Sequence, residues 1–216
     1  MRPRVSLAAV LIGAGAWALA GAPSRAGAAD AVSGAAVFAA KQCVRCHVPR
    51  SEQGPGPALE EIRRPQGAME LAGRLWNHVP AMAGVLVQRG FQWPSISASE
   101  MADLMAYLQG DALRDARPDL YKGQVILLRK NCLKCHSLRR EGGRVEPDLA
   151  ERRGDYESAS AWAAAMWTHT PRMAAMASRM GVAYPRFSGE EMGNLIGFLK
   201  EAAAAPLRGT GGAPRR

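Results

Sequence analysis

Two pentapeptides, Cys43-Val44-Arg45-Cys46-His47 and Cys132-Leu133-Lys134-Cys135-His136, hold all four cysteines of the 216-residue chain and two of its four histidines. Two cysteines three positions apart can reach one edge of a flat macrocycle. Their thiols can add across its two vinyl groups, and the histidine that follows can bind an iron at its centre. Covalent c-type haem attachment is the chemistry this spacing specifies. The reading is two haem c groups, held through Cys43 and Cys46 and through Cys132 and Cys135, with His47 and His136 as proximal iron ligands. Three other chemistries use part of the pattern. Zinc takes Cys and His ligands. A redox dithiol needs Cys-x-x-Cys beside a βαβ pattern, which the sequence does not show. Exported chains close small disulfides, but a disulfide gives no reason for a histidine after each pair.

The elements that must position these residues come in two copies. The second motif follows the first by 89 residues, and Gly34 and Gly123 share that offset. Further on, residues 71–108 match 162–199 at offset 91 without a gap, pairing Trp76 with Trp167, His78 with His169, Pro80 with Pro171, Met82 with Met173 and Glu100 with Glu191. The chain is a tandem duplication of two units, 29–111 and 118–202, joined by a Gly- and Pro-containing boundary and closed by a basic tail, 203–216.

Ala, Leu and Met outweigh Val, Ile and Thr, so each unit reads as a few helices with long connections. A helix precedes each motif. A second begins near Ala68 and is expected to stop at Pro80. A third opens on a capping signature, Ser97 with Glu100 and again Ser188 with Glu191. In it Met101, Leu104, Met105 and Leu108 share one face. The stretches 48–59 and 137–149 read as loops. Units of this size bury little apolar surface, so a large prosthetic group is expected to complete each core.

Residues 1–28 read as a secretory signal: basic "MRPR", an apolar run, and an Ala-x-Ala site before Asp30. An uncleaved anchor is the less favoured alternative. Export implies the periplasm. Cleavage removes Arg2, Arg4 and Arg25, which takes the net charge from +9 to +6. Residues 29–110 carry seven basic and seven acidic groups, whereas 111–216 carry eighteen and twelve, so the positive field belongs to the second half. Arg129, Lys130, Lys134, Arg139, Arg140 and Arg144 cluster around the second motif as a solvated face, as salt partners of haem propionates, or as a docking ring for an acidic redox partner. Nucleic acid is not an expected partner after export; loose membrane association is compatible with the charge.

These motifs, the "GPAL" and "EPDL" loops and the closing "EMADLMAYL" and "EMGNLIGFL" helices resemble the class I c-type cytochromes, in particular dihaem members made of two fused domains. The resemblance covers the whole of the chain after the signal. It implies an all-α fold, each unit wrapped round a covalent haem, and backbone carbonyls at Pro57 and Pro147 that orient the proximal imidazoles. It also implies an exported electron carrier between a donor dehydrogenase or quinol-oxidising complex and a terminal acceptor, and not an enzyme in its own right. The alternative is a haem enzyme or enzyme subunit, peroxidase-like or acting with a small-molecule dehydrogenase, or a gas sensor with one open iron. Relatives often carry a distal Met-Pro before the closing helix, where this chain has Trp93-Pro94 and Tyr184-Pro185. Family placement favours Met82 and Met173 as distal ligands; His78 and His169, four residues earlier, are the alternative. Trp76, Trp93, Trp167 and Tyr184 are expected to line the haem pockets.

Overall fold

The structure is a computed structural model and describes residues 28–205. The export segment, apart from Ala28, and the tail from Pro206 lie outside the described residues. The first unit contains α1 (Ala31–Ala40), the short α2 (Leu59–Ile62), α3 (Ala68–Gln88) and α4 (Ala98–Tyr107). The second contains α5 (Leu120–Arg129), α6 (Ala159–Arg179) and α7 (Glu191–Ala204). The fold is all-α. Its only strands among the described residues are two-residue pairs: β1 (Gln66–Gly67) parallel to β2 (Gly110–Asp111), and β3 (Ser137–Leu138) antiparallel to β4 (Glu141–Gly142).

Within each unit the first helix crosses the last, α1 on α4 and α5 on α7. A glycine makes each crossing possible. A Cβ on Gly34 would stand 2.0 Å from the Asp103 carbonyl, and one on Gly123 would stand 2.1 Å from that of Asn194. The capping box of α4 is complete, with the Ser97 hydroxyl accepting from the Glu100 N–H and the Glu100 carboxylate accepting from the Ser97 N–H. At α7 only the Ser188 N–H to Glu191 half is made. Each cap glutamate also receives a lysine from the end of the first helix, Lys41 to Glu100 at 2.8 Å and Lys130 to Glu191 at 3.0 Å. Met101, Leu104, Met105 and Leu108 are all buried, as their shared face requires.

The long helices do not stay within their units. α3 packs on α6 and α7, and α6 packs on α4, so each middle helix is covered by the other unit. The boundary segment is tied to the first unit: the Asp115 carboxylate accepts from the Met69 N–H at 2.9 Å and caps α3. At the far end α7 runs to Ala204 and Ala203 is buried, so the segment assigned to the tail begins with two helical residues.

Pro80 and Pro171 do not end their helices. Both α3 and α6 run for 21 residues through the proline. A proline in a helix interior has no N–H, which leaves the carbonyl four residues back without its donor. Those carbonyls belong to Trp76 and Trp167, and the other unit supplies both donors. Tyr184 donates its hydroxyl to the Trp76 carbonyl at 2.9 Å, and Trp93 donates its indole N–H to the Trp167 carbonyl at 3.0 Å. Tertiary partners thus replace what the prolines remove.

Candidate functional site

The helix before each motif must stop abruptly for the cysteines to turn outward from it. α1 ends at Ala40 and α5 at Arg129. Gln42 and Asn131 then take left-handed backbone, φ 65° and 59°, and each motif forms one 3-10 turn. That turn brings the histidine N–H back to the first cysteine carbonyl, at 2.9 Å in the first motif and 3.0 Å in the second. The imidazoles are oriented by proline carbonyls. His47 Nδ1 lies 3.0 Å from the Pro57 oxygen and His136 Nδ1 lies 2.9 Å from the Pro147 oxygen. A carbonyl only accepts, so Nδ1 carries the proton and each Nε2 keeps its lone pair for a metal. In the first unit the loop backbone presses on the ring. A Cβ on Gly56 would stand 2.9 Å from His47 Cε1.

Facing each of these imidazoles stands a second one, from the middle helix. The rings of His47 and His78 have centroids 5.8 Å apart, and those of His136 and His169 6.0 Å apart. Metal–imidazole bonds are about 2 Å long, so an ion held between two imidazole nitrogens separates the ring centres by roughly 6 Å. The Nε2 atom of His169 is buried with no hydrogen-bond partner, a costly arrangement unless that lone pair has another use. Burial, with His47 and Arg74 adding to it, holds His78 below the ordinary imidazole range. Burial does the same for His169 against the opposing field of Glu146. Both are therefore neutral at pH 7, the form that ligates metals. The residues present fit a planar iron macrocycle set between each histidine pair. Met82 and Met173 lie one turn beyond on the same helices and pack against the core.

The cysteines are free, and burial pushes the thiols of Cys43 and Cys132 up to about 11. Among the described residues no three Cys, His, Asp or Glu side chains converge as a bare metal ion would require. Beside His169 an open cleft is lined by Arg152, Thr168 and Arg172.

The four aromatics expected in the pockets form the junction between the units. Trp76 donates its indole N–H to the Pro185 carbonyl and Trp167 donates to that of Pro94, both at 2.7 Å. Trp76 stacks on Tyr184 and Trp162, and Trp93 stacks on Trp167. A signal for this role was present in the sequence: Trp-x-x-x-Pro occurs at the same place in both copies. The second loop also departs from expectation. The hairpin of β3 and β4 sits against the second motif and has no counterpart in the first unit.

A family model described as Cytochrome c matches the chain twice, over residues 31–110 and 120–203. No curated protein and no solved structure matches it.

Proposed function

The chain belongs to the cytochrome c family in two tandem copies, and from that premise we propose that it is an exported two-haem electron carrier with both irons closed by paired histidines. Cys43, Cys46, Cys132 and Cys135 would hold the macrocycles, His47 and His136 would be the proximal ligands, and His78 and His169 the distal ones. When bound, haem iron supplies one-electron chemistry. The carrying observation is the pairing of imidazole rings at 5.8 and 6.0 Å in both units, with each proximal Nδ1 turned to a proline carbonyl. The imidazole pairs take the place that family position gave to Met82 and Met173.

The protein's own contribution is exclusion and orientation. Pro57 and Pro147 fix the tautomer of the proximal rings. The middle helices bring the distal rings from the opposite side, and the other unit covers those helices. Two ligands of one kind per iron leave no open position for a substrate or a gas, which supports a carrier over an enzyme or sensor. No helix among the described residues is long and apolar enough to cross a membrane, and the reading places the protein in the periplasm.

The test is spectroscopic. The oxidised haem-loaded protein should show two low-spin bis-imidazole signals by electron paramagnetic resonance, no thioether-to-iron charge-transfer band, and no change of the reduced spectrum under carbon monoxide. A thioether band in either haem would return the distal role to Met82 or Met173. A carbon monoxide complex would move the reading to an enzyme or sensor.

A further inference from the structure

The hairpin that distinguishes the second unit is built in an unfavourable way. Its two-residue turn consists of Arg139 and Arg140, both left-handed, with φ 55° and 71°. That turn type favours Asn-Gly, and a non-glycine residue there stores strain. One carboxylate holds it. Asp148 accepts from the Arg139 N–H at 3.0 Å, the Arg140 N–H at 2.6 Å, the Ser137 hydroxyl at 2.9 Å and the Ala150 N–H at 2.8 Å. The hairpin is also fixed to the haem-binding motif, because the Gly143 N–H reaches the carbonyls of both Leu133 and His136 at 2.9 Å. A Cβ on Gly142 would meet the His136 carbonyl at 2.8 Å. Three hydrogen bonds to Asp148, the shared Gly143 N–H and a tight backbone contact thus hold two arginines in a strained turn directly on the second motif.

The surroundings have matching character. Arg129, Lys134, Arg140 and Arg144 are exposed around the motif, with Glu141 the acidic group among them. Leu128, in the last turn of α5 before the motif, and Val145, whose N–H bonds the Cys135 carbonyl, are exposed at 57% and 58%. The corresponding loop of the first unit carries Arg50 against Glu52, Glu60 and Glu61, and Arg50 is already paired with Glu61. Exposed basic groups with a few exposed apolar side chains flanking the motif of a redox centre complement an acidic protein surface.

We propose that the Arg139–Arg140 hairpin, held by Asp148, makes the second unit the docking end for an acidic redox protein, while the first unit serves a partner of different charge. The proposal rests on the carrier reading. Its occupant is a protein and not a membrane, because the patch is confined to one motif and contains Glu141 and two apolar side chains.

The experiment follows the second-order reduction of the oxidised haem-loaded protein by photoreduced flavodoxin, an acidic flavoprotein probe, in stopped flow over a range of ionic strength. Arg140→Glu and Arg144→Glu should each slow the reaction about fivefold or more at low salt and flatten its salt dependence. Arg89→Glu, an exposed reversal in the first unit, should match the parent. Asp148→Asn is the decisive variant. It makes the protein more positive, so long-range attraction alone predicts a faster reaction, whereas loss of the positioned hairpin predicts a slower one. Photoreduced lumiflavin, an uncharged low-potential reductant, should reduce all variants alike.

Equal slowing by Arg89→Glu and Arg140→Glu, or a faster Asp148→Asn, would overturn the proposal. So would variants that keep the flavodoxin rate but lose flotation with phosphatidylglycerol vesicles, which would make the patch a lipid contact. In all these outcomes the carrier reading stands. Haems that take no electrons from photoreduced lumiflavin would instead sink that reading and the proposal with it.

Discussion

The carbonyl of Trp76 receives the Tyr184 hydroxyl at 2.9 Å because Pro80, four residues on, cannot supply a helix N–H. The same relation holds in mirror between Trp167, Pro171 and Trp93 at 3.0 Å. Each middle helix is therefore completed by the unit to which it does not belong. The two indole N–H bonds to Pro185 and Pro94 close the set, four hydrogen bonds in two pseudo-symmetric pairs. Since α3 and α6 carry His78 and His169, the junction and both of these histidines are parts of one packed layer.

Tyr184→Phe should therefore cost more than a surface hydroxyl. It leaves a buried carbonyl without a donor, a loss of about 1–3 kcal/mol. Pro80→Ala in the same chain restores the helix N–H and should recover most of it. Thermal unfolding of the single and double variants measures the coupling. Strictly additive losses would show that the proline does not create the demand for Tyr184.

Much of this was legible in the residues. Cys-x-x-Cys-His fixes its own chemistry by spacing, the duplication is read from dense paired identities, and the cap at Ser97 and the face of Met101 obey local rules. What local rules cannot carry is the junction. Pro80 reads as a stop because its cost is local and its compensation lies on residue 184. The aromatics read as pocket lining because composition says only that they are buried, not by which neighbour. The hairpin reads as loop because two arginines in left-handed backbone contradict turn preferences, and only Asp148 explains why they persist.

His78→Ala should open the first iron and His169→Ala the second, each creating a carbon monoxide complex in half of the haem. Met82→Leu, which conserves volume, should leave the ligand field unchanged and cost under about 1.5 kcal/mol of stability. Absorption spectra of the four reduced species, with and without carbon monoxide, check both. Opening by Met82→Leu with a silent His78→Ala would reverse the assignment.

Gly34→Ala and Gly123→Ala test the helix crossings. In an exposed helix the change from glycine would gain about 1 kcal/mol of propensity. Here the new Cβ meets backbone oxygen at 2.0 and 2.1 Å, and backbone cannot rotate away. Overpacking of this kind costs about 1–3 kcal/mol or more, so the net sign is destabilising. Chemical denaturation should show both variants losing stability, with Gly84→Ala, which meets nothing within 4 Å, as the control that does not.

The second hairpin should loosen in acid. Burial works against the Asp148 carboxylate, but the N–H groups of Arg140 and Ala150, the Ser137 hydroxyl and the Arg139 N–H together hold it below the ordinary carboxylate range. A carboxyl depressed on folding contributes stability that is complete above its unfolded value, about 3.9, and is lost as pH falls through the folded value. Amide protection at Arg139 and Arg140 should be flat above pH ~5 and fall below pH ~4. Asp148→Asn should show low protection with no such step. A step that persists in the variant would belong to another carboxyl.

The two pockets are fastened differently, and salt should tell them apart. In the second, Glu146, beside Pro147, pairs at 3.0 Å with Arg172, three residues after His169, joining the loop after the second motif to α6. In the first, Gly56 and Ala81 stand at those positions and no ion pair can form. There the Arg45 guanidinium lies over the Phe91 ring, 5.2 Å from its centroid, and joins the motif to the end of α3. Arg172 is two-thirds exposed, so its pair is screened by salt and is worth up to about 1 kcal/mol. Raising the salt should speed hydrogen exchange over residues 169–179 by up to about fivefold and leave 78–88 unchanged. Arg172→Ala should give the same change at low salt and remove the salt response. A salt response that survives Arg172→Ala, or appears equally in α3, would show that the bridge does not fasten the second pocket.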